Sequence, residues 1–236
     1  MPLFKKKLRC SAVIVAAGAS TRMEGHDKMF LELGGAPVLV RTLSVFQLCA
    51  EIDEIIVVAR GEDIPRVSAL AQEYSITKLT RIVEGGETRT ESVYSGVYAV
   101  SPKARYIAIH DGARPLVAKT MITATIRLAE SKNAAAPAVE VKATIKTAER
   151  GYVTGTPDRA KLREVQTPQV FDAALIKAAL ENAKNRKLTL TDDCSAVEAL
   201  GATVWLSEGS YENVKLTTIE DVLLAEGILR RRGEMS

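Results

Sequence analysis

The sequence predicts an α/β fold in which a mostly parallel sheet is flanked by helices. Short apolar runs recur along the chain, and a stretch with helical spacing separates each run from the next. Strands buried on both faces of a parallel sheet have this continuous apolar character and alternate with helices. The expected strands are residues 13–17, 55–59, 81–83, 106–109 and 134–139, with a further short one at 202–206.

Helices are predicted where apolar residues recur at intervals of three and four. Pro37 begins one helix and Pro65 lies near the start of another, because proline fits the first turn of a helix. Val93 and Val97 fall on one face of a third. The predicted helices cover residues 37–47, 65–74, 90–100, 172–183, 193–200 and 219–230.

Residues 141–165 interrupt this alternation. The segment is rich in threonine and carries Gly151, Gly155 and Pro157, which are typical of a β-hairpin with turn residues at its tip. We therefore expect a Rossmann-like sheet with a projecting hairpin arm, all within one domain of residues 1–236.

Composition excludes several classes of protein. Hydrophobic residues make up 47% and charged residues 26%, and the net charge of +3 is too small to indicate a nucleic-acid partner. No apolar run approaches the ~20 residues of a membrane span, so we expect a cytoplasmic protein without a membrane partner. The three cysteines, Cys10, Cys49 and Cys194, are far apart in apolar surroundings and are expected to be reduced core thiols.

A polar loop follows the first predicted strand and favours phosphate binding. Glycine after a buried strand exposes backbone N–H groups at the carboxyl edge of a sheet, where phosphates bind in α/β proteins. An arginine and a lysine add fixed positive charge, as phosphoryl transfer requires. A simple tight turn is the alternative, and the loop matches neither the dinucleotide fingerprint nor a Walker loop. Its polar residues are Gly18, Ser20, Thr21, Arg22, Asp27 and Lys28.

A second polar cluster ends the predicted strand 106–109, so it should reach the same sheet edge. Asp111 can orient a substrate hydroxyl or approach a phosphate-bound magnesium, and Arg114 can bind a second anion. The alternative is a turn stabilised by an Asp111–Arg114 pair. His110 is expected to be structural, because a phosphate nucleophile needs no general base.

A third cluster follows strand 81–83 and opens a helix. Gly85, Gly86 and Ser92 could match the base edge of cytosine through exposed backbone and a hydroxyl donor. An ordinary capped helix start explains the same residues equally well.

These three clusters, in this order, resemble the cytidylyltransferases that act on polyol phosphates, and most closely the 2-C-methyl-D-erythritol 4-phosphate cytidylyltransferases of the non-mevalonate isoprenoid pathway. The resemblance covers nearly the whole chain. It also includes four further segments, at residues 141–146, 166–169, 191–193 and 212–217.

The resemblance implies a role for each matching residue. Arg22 and Lys28 would be the catalytic cations, and Ala16, Ala17, Gly18, Gly86 and Ser92 would hold CTP, whose phosphates magnesium would bridge. Asp111 and Arg114 would face the methylerythritol phosphate, joined by Thr167 and Lys215, and Asp111 is also a candidate magnesium ligand. The arm would exchange across a homodimer, so that Thr144 and Arg159 reach the neighbouring subunit's substrate.

The chain departs from the family pattern at a few positions. Met29 follows Lys28 where glutamine is usual, Glu140 replaces a usual proline and Ala143 a usual aspartate. Ribitol 5-phosphate is the alternative acceptor, because the enzymes that use it share the same clusters. A nucleotide-sensing module without catalysis is the rival from another class, and the retained Arg22 and Lys28 argue against it.

Overall fold

The protein is described by a computed structural model covering residues 10–18 and 27–235. Its first half consists of β1 (Cys10–Val15), β2 (Glu32–Leu33), β3 (Ala36–Pro37), α1 (Val38–Leu48), β4 (Ile52–Ala59), α2 (Ile64–Glu73), β5 (Leu79–Glu84), α3 (Arg89–Ala99), β6 (Tyr106–Asp111) and α4 (Lys119–Lys132). Its second half consists of β7 (Ala134–Glu140), β8 (Thr147–Glu149), β9 (Tyr152–Gly155), β10 (Arg163–Val165), β11 (Gln169–Asp172), α5 (Ala173–Asn185), α6 (Asp193–Glu198), β12 (Trp205–Glu208) and α7 (Ile219–Arg232).

The central sheet has the strand order β5-β4-β1-β6-β11-β7-β10, and β12 also pairs with β7. Strands β5, β4, β1 and β6 are mutually parallel, as the alternation predicts. Strands β10 and β11 run antiparallel to their neighbours, so the sheet is mostly rather than wholly parallel. The predicted α/β, Rossmann-like class is confirmed.

Both faces of the sheet are covered by helices. Side chains of β1 alternate between the two cores, with Ala12 and Ile14 in one and Val13 in the other. Helices α1, α2 and α4 supply the first core, and α3, α5 and α6 supply the second. Two-sided burial explains the continuous apolar strands in the sequence.

The predicted hairpin is present in the segment that we call the arm, residues 141–165. Strands β8 and β9 pair only with each other among the described strands, and a two-residue turn joins them. Arg150 (φ 47°) and Gly151 (φ 86°) both have positive φ, as a type I′ turn requires. The last residues of the arm differ from the prediction, because they form β10 and join the central sheet.

The three cysteines are buried and unbridged, which confirms their predicted state. His110 is likewise a core residue, as predicted. Its ring lies 4.9 Å from the ring of Phe46, and both of its nitrogens lie within hydrogen-bond distance of partners, Thr167 Oγ1 and the Arg114 carbonyl. Burial lowers the pKa of His110 to about 3, so the ring is neutral near pH 7. Across residues 10–18 and 27–235, none of the helices has the length and apolar character needed to cross a membrane.

A close approach between α3 and the sheet depends on Gly96. A Cβ atom at this position would lie 2.7 Å from Val58 Cγ2 and still closer to Val13 Cγ1. We predict that Gly96→Ala lowers the free energy of unfolding by about 1–3 kcal/mol, because overpacking outweighs the gain in helix propensity. Urea denaturation measures the change.

Gly227→Ala provides the matched control, because Gly227 also lies within a helix but has open space where its Cβ would be. It should raise stability by roughly 0.5–1 kcal/mol through helix propensity alone. Equal unfolding midpoints for the two variants would show that the α3–sheet contact does not need glycine.

Candidate functional site

Three loops converge at the carboxyl edge of the sheet. Each is tied to a neighbouring strand by a backbone hydrogen bond: Ala16 N donates to Val58 O (2.7 Å), Gly85 N to Ala59 O (2.9 Å) and Gly112 N to Val15 O (2.8 Å). The parallel register places Val15 opposite both Val58 and Asp111, so the strands end at one level. The three clusters expected from the sequence therefore share one edge.

The first loop is described on both sides of a gap. Ala16 is buried, Ala17 is half-buried and Gly18 is exposed, with nothing within 4 Å of where a Cβ atom would be. Ser20, Thr21, Arg22 and His26 lie outside the described residues. The described residues continue with Asp27 and Lys28. The Asp27 carboxylate pairs with Arg60 and accepts a hydrogen bond from Met29 N (3.1 Å). Lys28 therefore directly follows a residue, Asp27, that is held at the end of β4 by its pair with Arg60.

The third loop packs against the first. A Cβ atom at Gly85 would collide with the Ala17 side chain and lie 2.7 Å from Ser92 Oγ, so only glycine allows this approach. Ser92 is buried, accepts from Gly86 N (3.2 Å) and donates to Thr88 O (3.0 Å). The Ser92 hydroxyl thus holds the glycine turn in place, and the helix cap considered as an alternative is also present, formed by Thr88 and Glu91.

The second loop carries a carboxylate shared by three cations. Asp111 Oδ2 lies 2.9 Å from Lys215 Nζ and 3.6 Å from Arg114 Nε, and Asp111 Oδ1 lies 3.3 Å from Arg89 Nε. Arg89 also forms a two-pronged pair with Asp193, at 3.0 and 2.9 Å. These five side chains, Arg89, Asp111, Arg114, Asp193 and Lys215, are named the Asp111 cluster.

Electrostatics keep Asp111 ionised. Burial alone would raise the pKa of its carboxyl, but Arg89 and Lys215, together with Arg114, hold that pKa well below its usual range. Three cations and two carboxylates leave one excess positive charge in the Asp111 cluster. Such a group favours an additional anion, and Lys215, whose side chain is 37% exposed, offers an ammonium donor for it.

Thr167 and Asn213 form hydrogen bonds that hold the Asp111 cluster in place. Thr167 is buried, and its Oγ1 accepts from Asp111 N (3.2 Å). The Asn213 side chain donates to Thr167 O (3.0 Å), and the Asn213 backbone carbonyl accepts from Arg114 Nη1 (2.6 Å). Arg114 Nε is buried and has no hydrogen-bond partner, because its ion-pair partner Asp111 Oδ2 lies 3.6 Å away. Thr167 was expected to join the acceptor site, and the structure places its hydroxyl against the backbone of Asp111.

Thr144 and Arg159 lie on the arm, and the structure leaves both exposed. Arg159 Nη1 donates to Lys142 O (2.9 Å) in the same segment. Among the described residues, neither side chain forms a hydrogen bond or ion pair with the Asp111 cluster. Within a single chain, four of the six expected acceptor residues therefore lie together: Asp111, Arg114, Thr167 and Lys215.

Asp111 does not fit a direct magnesium ligand. Both of its oxygens already face cations, and a divalent ion would have to enter beside Arg89, Arg114 and Lys215. In the part of the chain that the structure describes, no group of three or more His, Cys, Asp or Glu side chains could hold a metal ion.

Two members of the Asp111 cluster were not predicted. Arg89 lies within the third cluster and Asp193 within one of the family segments, but neither was given a role from the sequence. They are 104 residues apart, and only the fold brings them together. A signal was present, since an arginine in a glycine-rich loop and a paired Asp192–Asp193 both lie near predicted helix starts.

Comparison with known proteins identifies the family of the chain. A family model described as 2-C-methyl-D-erythritol 4-phosphate cytidylyltransferase matches residues 10–231. The chain is similar to the 2-C-methyl-D-erythritol 4-phosphate cytidylyltransferase of Halalkalibacterium halodurans, with 46% identity over 94% of this chain and 97% of that protein. The protein of the same name from Geobacillus kaustophilus is 44% identical, over 94% and 97%.

Solved structures give the same result. The crystal structure of 4-diphosphocytidyl-2C-methyl-D-erythritol synthase from Anaerococcus prevotii has a TM-score of 0.84 and 33% identity, and the match covers 94% of this chain and 98% of that one. A Thermus thermophilus 2-C-methyl-D-erythritol 4-phosphate cytidylyltransferase structure has a TM-score of 0.77 and 31% identity, over 92% and 98%. Since a single family model spans almost the entire sequence and relatives of that name align over nearly their full lengths, the chain belongs to the 2-C-methyl-D-erythritol 4-phosphate cytidylyltransferase family.

Proposed function

We propose that this chain joins CTP and 2-C-methyl-D-erythritol 4-phosphate to give 4-diphosphocytidyl-2-C-methyl-D-erythritol and pyrophosphate, a step in isoprenoid precursor biosynthesis. The observation that carries the proposal is the excess positive charge of the Asp111 cluster, at the sheet edge shared with the glycine loops. An anionic acceptor and a nucleoside triphosphate would meet there. Family membership favours methylerythritol phosphate over the ribitol 5-phosphate alternative.

The reaction is a displacement at phosphorus. An oxygen of the acceptor phosphate forms a bond to the α-phosphorus of CTP, and the bond from that phosphorus to the β-bridging oxygen breaks. Pyrophosphate leaves with the electron pair, and nothing is oxidised or reduced. The attacking phosphate is already ionised, so no general base is needed, and the buried His110 is not required as one.

In this proposal each loop has one task. The backbone at Ala16, Ala17, Gly18 and Gly86 holds CTP, and Ser92 keeps the Gly85–Gly86 turn in the required conformation. Arg22 and Lys28 stabilise the charge that grows on the α-phosphate, as expected for fixed cations in phosphoryl transfer.

The Asp111 cluster binds the acceptor. Lys215, whose side chain is 37% exposed, and Arg114 are the donors for the acceptor phosphate, and the Asp111 carboxylate accepts from an acceptor hydroxyl. Magnesium enters the proposal only as a counterion carried by the triphosphate, because Asp111 already faces three cations. The buried free thiols favour a reducing compartment, so we place the enzyme in the cytoplasm.

We also propose a homodimer in which the arm completes the neighbouring site. The arm exposes apolar side chains, with Ile145, Tyr152 and Val153 being 40%, 58% and 59% exposed. Exposed apolar groups on a hairpin that pairs with no other described strand are typical of an interface. Thr144 and Arg159 would then contact the acceptor bound by the partner subunit.

Measuring the reaction with alternative substrates tests the function. We expect pyrophosphate release with CTP and methylerythritol phosphate together, and a value of kcat/KM that falls at least ~10-fold with ribitol 5-phosphate or with UTP, because each loses matched polar contacts. Equal rates with the two acceptors would refute the assignment of acceptor. Pyrophosphate release that does not depend on any acceptor would refute the proposed reaction.

Removing either catalytic cation tests the first loop. Lys28→Ala and Arg22→Ala should each lower kcat by ~10²–10³, equivalent to about 2.7–4 kcal/mol, because a fixed donor to the transition state is lost. The melting temperatures should stay close to that of the unaltered protein. Lys103→Ala, which removes an exposed lysine at the opposite end of β6, is the control and should retain full turnover. Retained turnover in both cation variants would contradict their assignment.

Subunit mixing tests the exchanged arm. Lys28→Ala and Arg159→Ala chains should each be nearly inactive alone, but random mixing should restore about a quarter of the full activity, since each mixed dimer has one site with both residues intact. If the two residues act within one chain, mixing restores nothing. That result would overturn the exchanged arm but leave the reaction unaffected.

A further inference from the structure

The guanidinium of Arg89 joins two carboxylates that come from distant parts of the chain. Arg89 is the first residue of α3, and its two terminal nitrogens bind the two oxygens of Asp193 at 3.0 and 2.9 Å. Its remaining nitrogen, Nε, faces Asp111 Oδ1 at 3.3 Å. A guanidinium held by two parallel hydrogen bonds has a fixed plane, so the direction in which Nε points is also fixed.

Asp193 is itself immobilised. The residue is only 2% exposed, and its backbone N and that of Cys194 both donate to Gln169 Oε1 at 3.0 Å. Gln169 Nε2 in turn donates to Asp192 Oδ2 (2.8 Å), and Asp192 caps the start of α6. The start of α6 is thereby attached to β11, which pairs directly with β6, the strand that carries Asp111.

The Asp111 oxygens are divided between different partners. Oδ1 faces Arg89, and Oδ2 faces Lys215 at 2.9 Å and Arg114 at 3.6 Å. Without Arg89, no described cation would hold Oδ1, and the carboxylate could rotate to present both oxygens to Lys215. Lys215 would then be less available to the phosphate of the acceptor.

We propose that Arg89, held by Asp193, is a positioning residue for the acceptor site: it fixes the orientation of Asp111, so that Lys215 pairs with one carboxylate oxygen only and its other N–H donors can bind the acceptor phosphate. Because Asp193 balances the charge of Arg89, the pair orients the carboxylate without adding to the excess positive charge. The inference deepens the proposed function and rests on it. It assigns Arg89 no contact with the reacting atoms.

A purely structural tie between α3 and α6 is the competing explanation. Both explanations expect some loss of stability when the pair is broken. Only the positioning role expects the acceptor and CTP to be affected differently, because Asp111 and Lys215 belong to the acceptor site and the glycine loops hold CTP. The decisive quantity is therefore the ratio of the two KM changes.

Arg89→Lys keeps the charge but cannot form the two-pronged pair. We expect its KM for methylerythritol phosphate to rise ~10-fold or more, since small misplacements at a reacting centre can cost up to 10²-fold, and its KM for CTP to change less than about twofold. Asp193→Asn should act in the same direction, and the double variant should be little worse than either single one, because the two residues act as a unit.

Arg105→Lys is the matched control. Arg105 also pairs with an aspartate, Asp172, at 3.3 Å, but at the amino end of β6. This variant should leave both KM values unchanged. Equal rises in both KM values for Arg89→Lys, or a lower melting temperature with neither KM changed, would overturn the proposal.

A crystal structure of unliganded Arg89→Lys separates this inference from the proposed function. The Asp111 carboxylate should rotate toward Lys215 while the β6 backbone stays in place. If it rotates but the unaltered enzyme makes no cytidylyl product, the proposed function fails, and the result supports only that Arg89 fixes the orientation of Asp111. If the enzyme is active but the carboxylate keeps its orientation and the acceptor KM is unchanged, the positioning role alone fails.

Discussion

The site depends on one buried carboxylate, Asp111, that is shared among cations arriving from three separate parts of the chain. Arg89 comes from the start of α3, Arg114 from the turn after β6 and Lys215 from the loop before α7. A carboxylate this well buried is costly unless it is paired, and a single cation would satisfy only part of it. The common partner therefore links three separate segments, and a hydrogen bond from Arg114 Nη1 to Asn213 O (2.6 Å) joins two of them a second time.

The balance of charge in this cluster explains why it can bind an anionic ligand and does not only stabilise the fold. Asp193 compensates Arg89, and Asp111 compensates one of the two remaining cations, so one positive charge is left for a ligand. Ion pairs that are fully neutralised within a protein leave no net charge to attract a substrate. Here the half-exposed Lys215 supplies the remaining capacity.

Much of the fold could be predicted from the sequence, because strands buried on both faces are continuous apolar runs, and because Gly151 allows the turn of the arm. Strands β10 and β11 could not be predicted, since runs of three or four residues with polar ends carry no periodicity. Asp111 and Arg114 were predicted because both follow a recognisable strand. The pairing of Arg89 with Asp193 was not, because local pattern contains no information about contacts 104 residues apart.

The position of the acceptor phosphate is the most direct test of this site, and a crystal structure with methylerythritol phosphate and a non-reactive CTP analogue would show it. The phosphate should lie within hydrogen-bond distance of Lys215, with an acceptor hydroxyl against Asp111 and the triphosphate on the glycine loops. An acceptor bound elsewhere, with only water against the Asp111 cluster, would contradict the account.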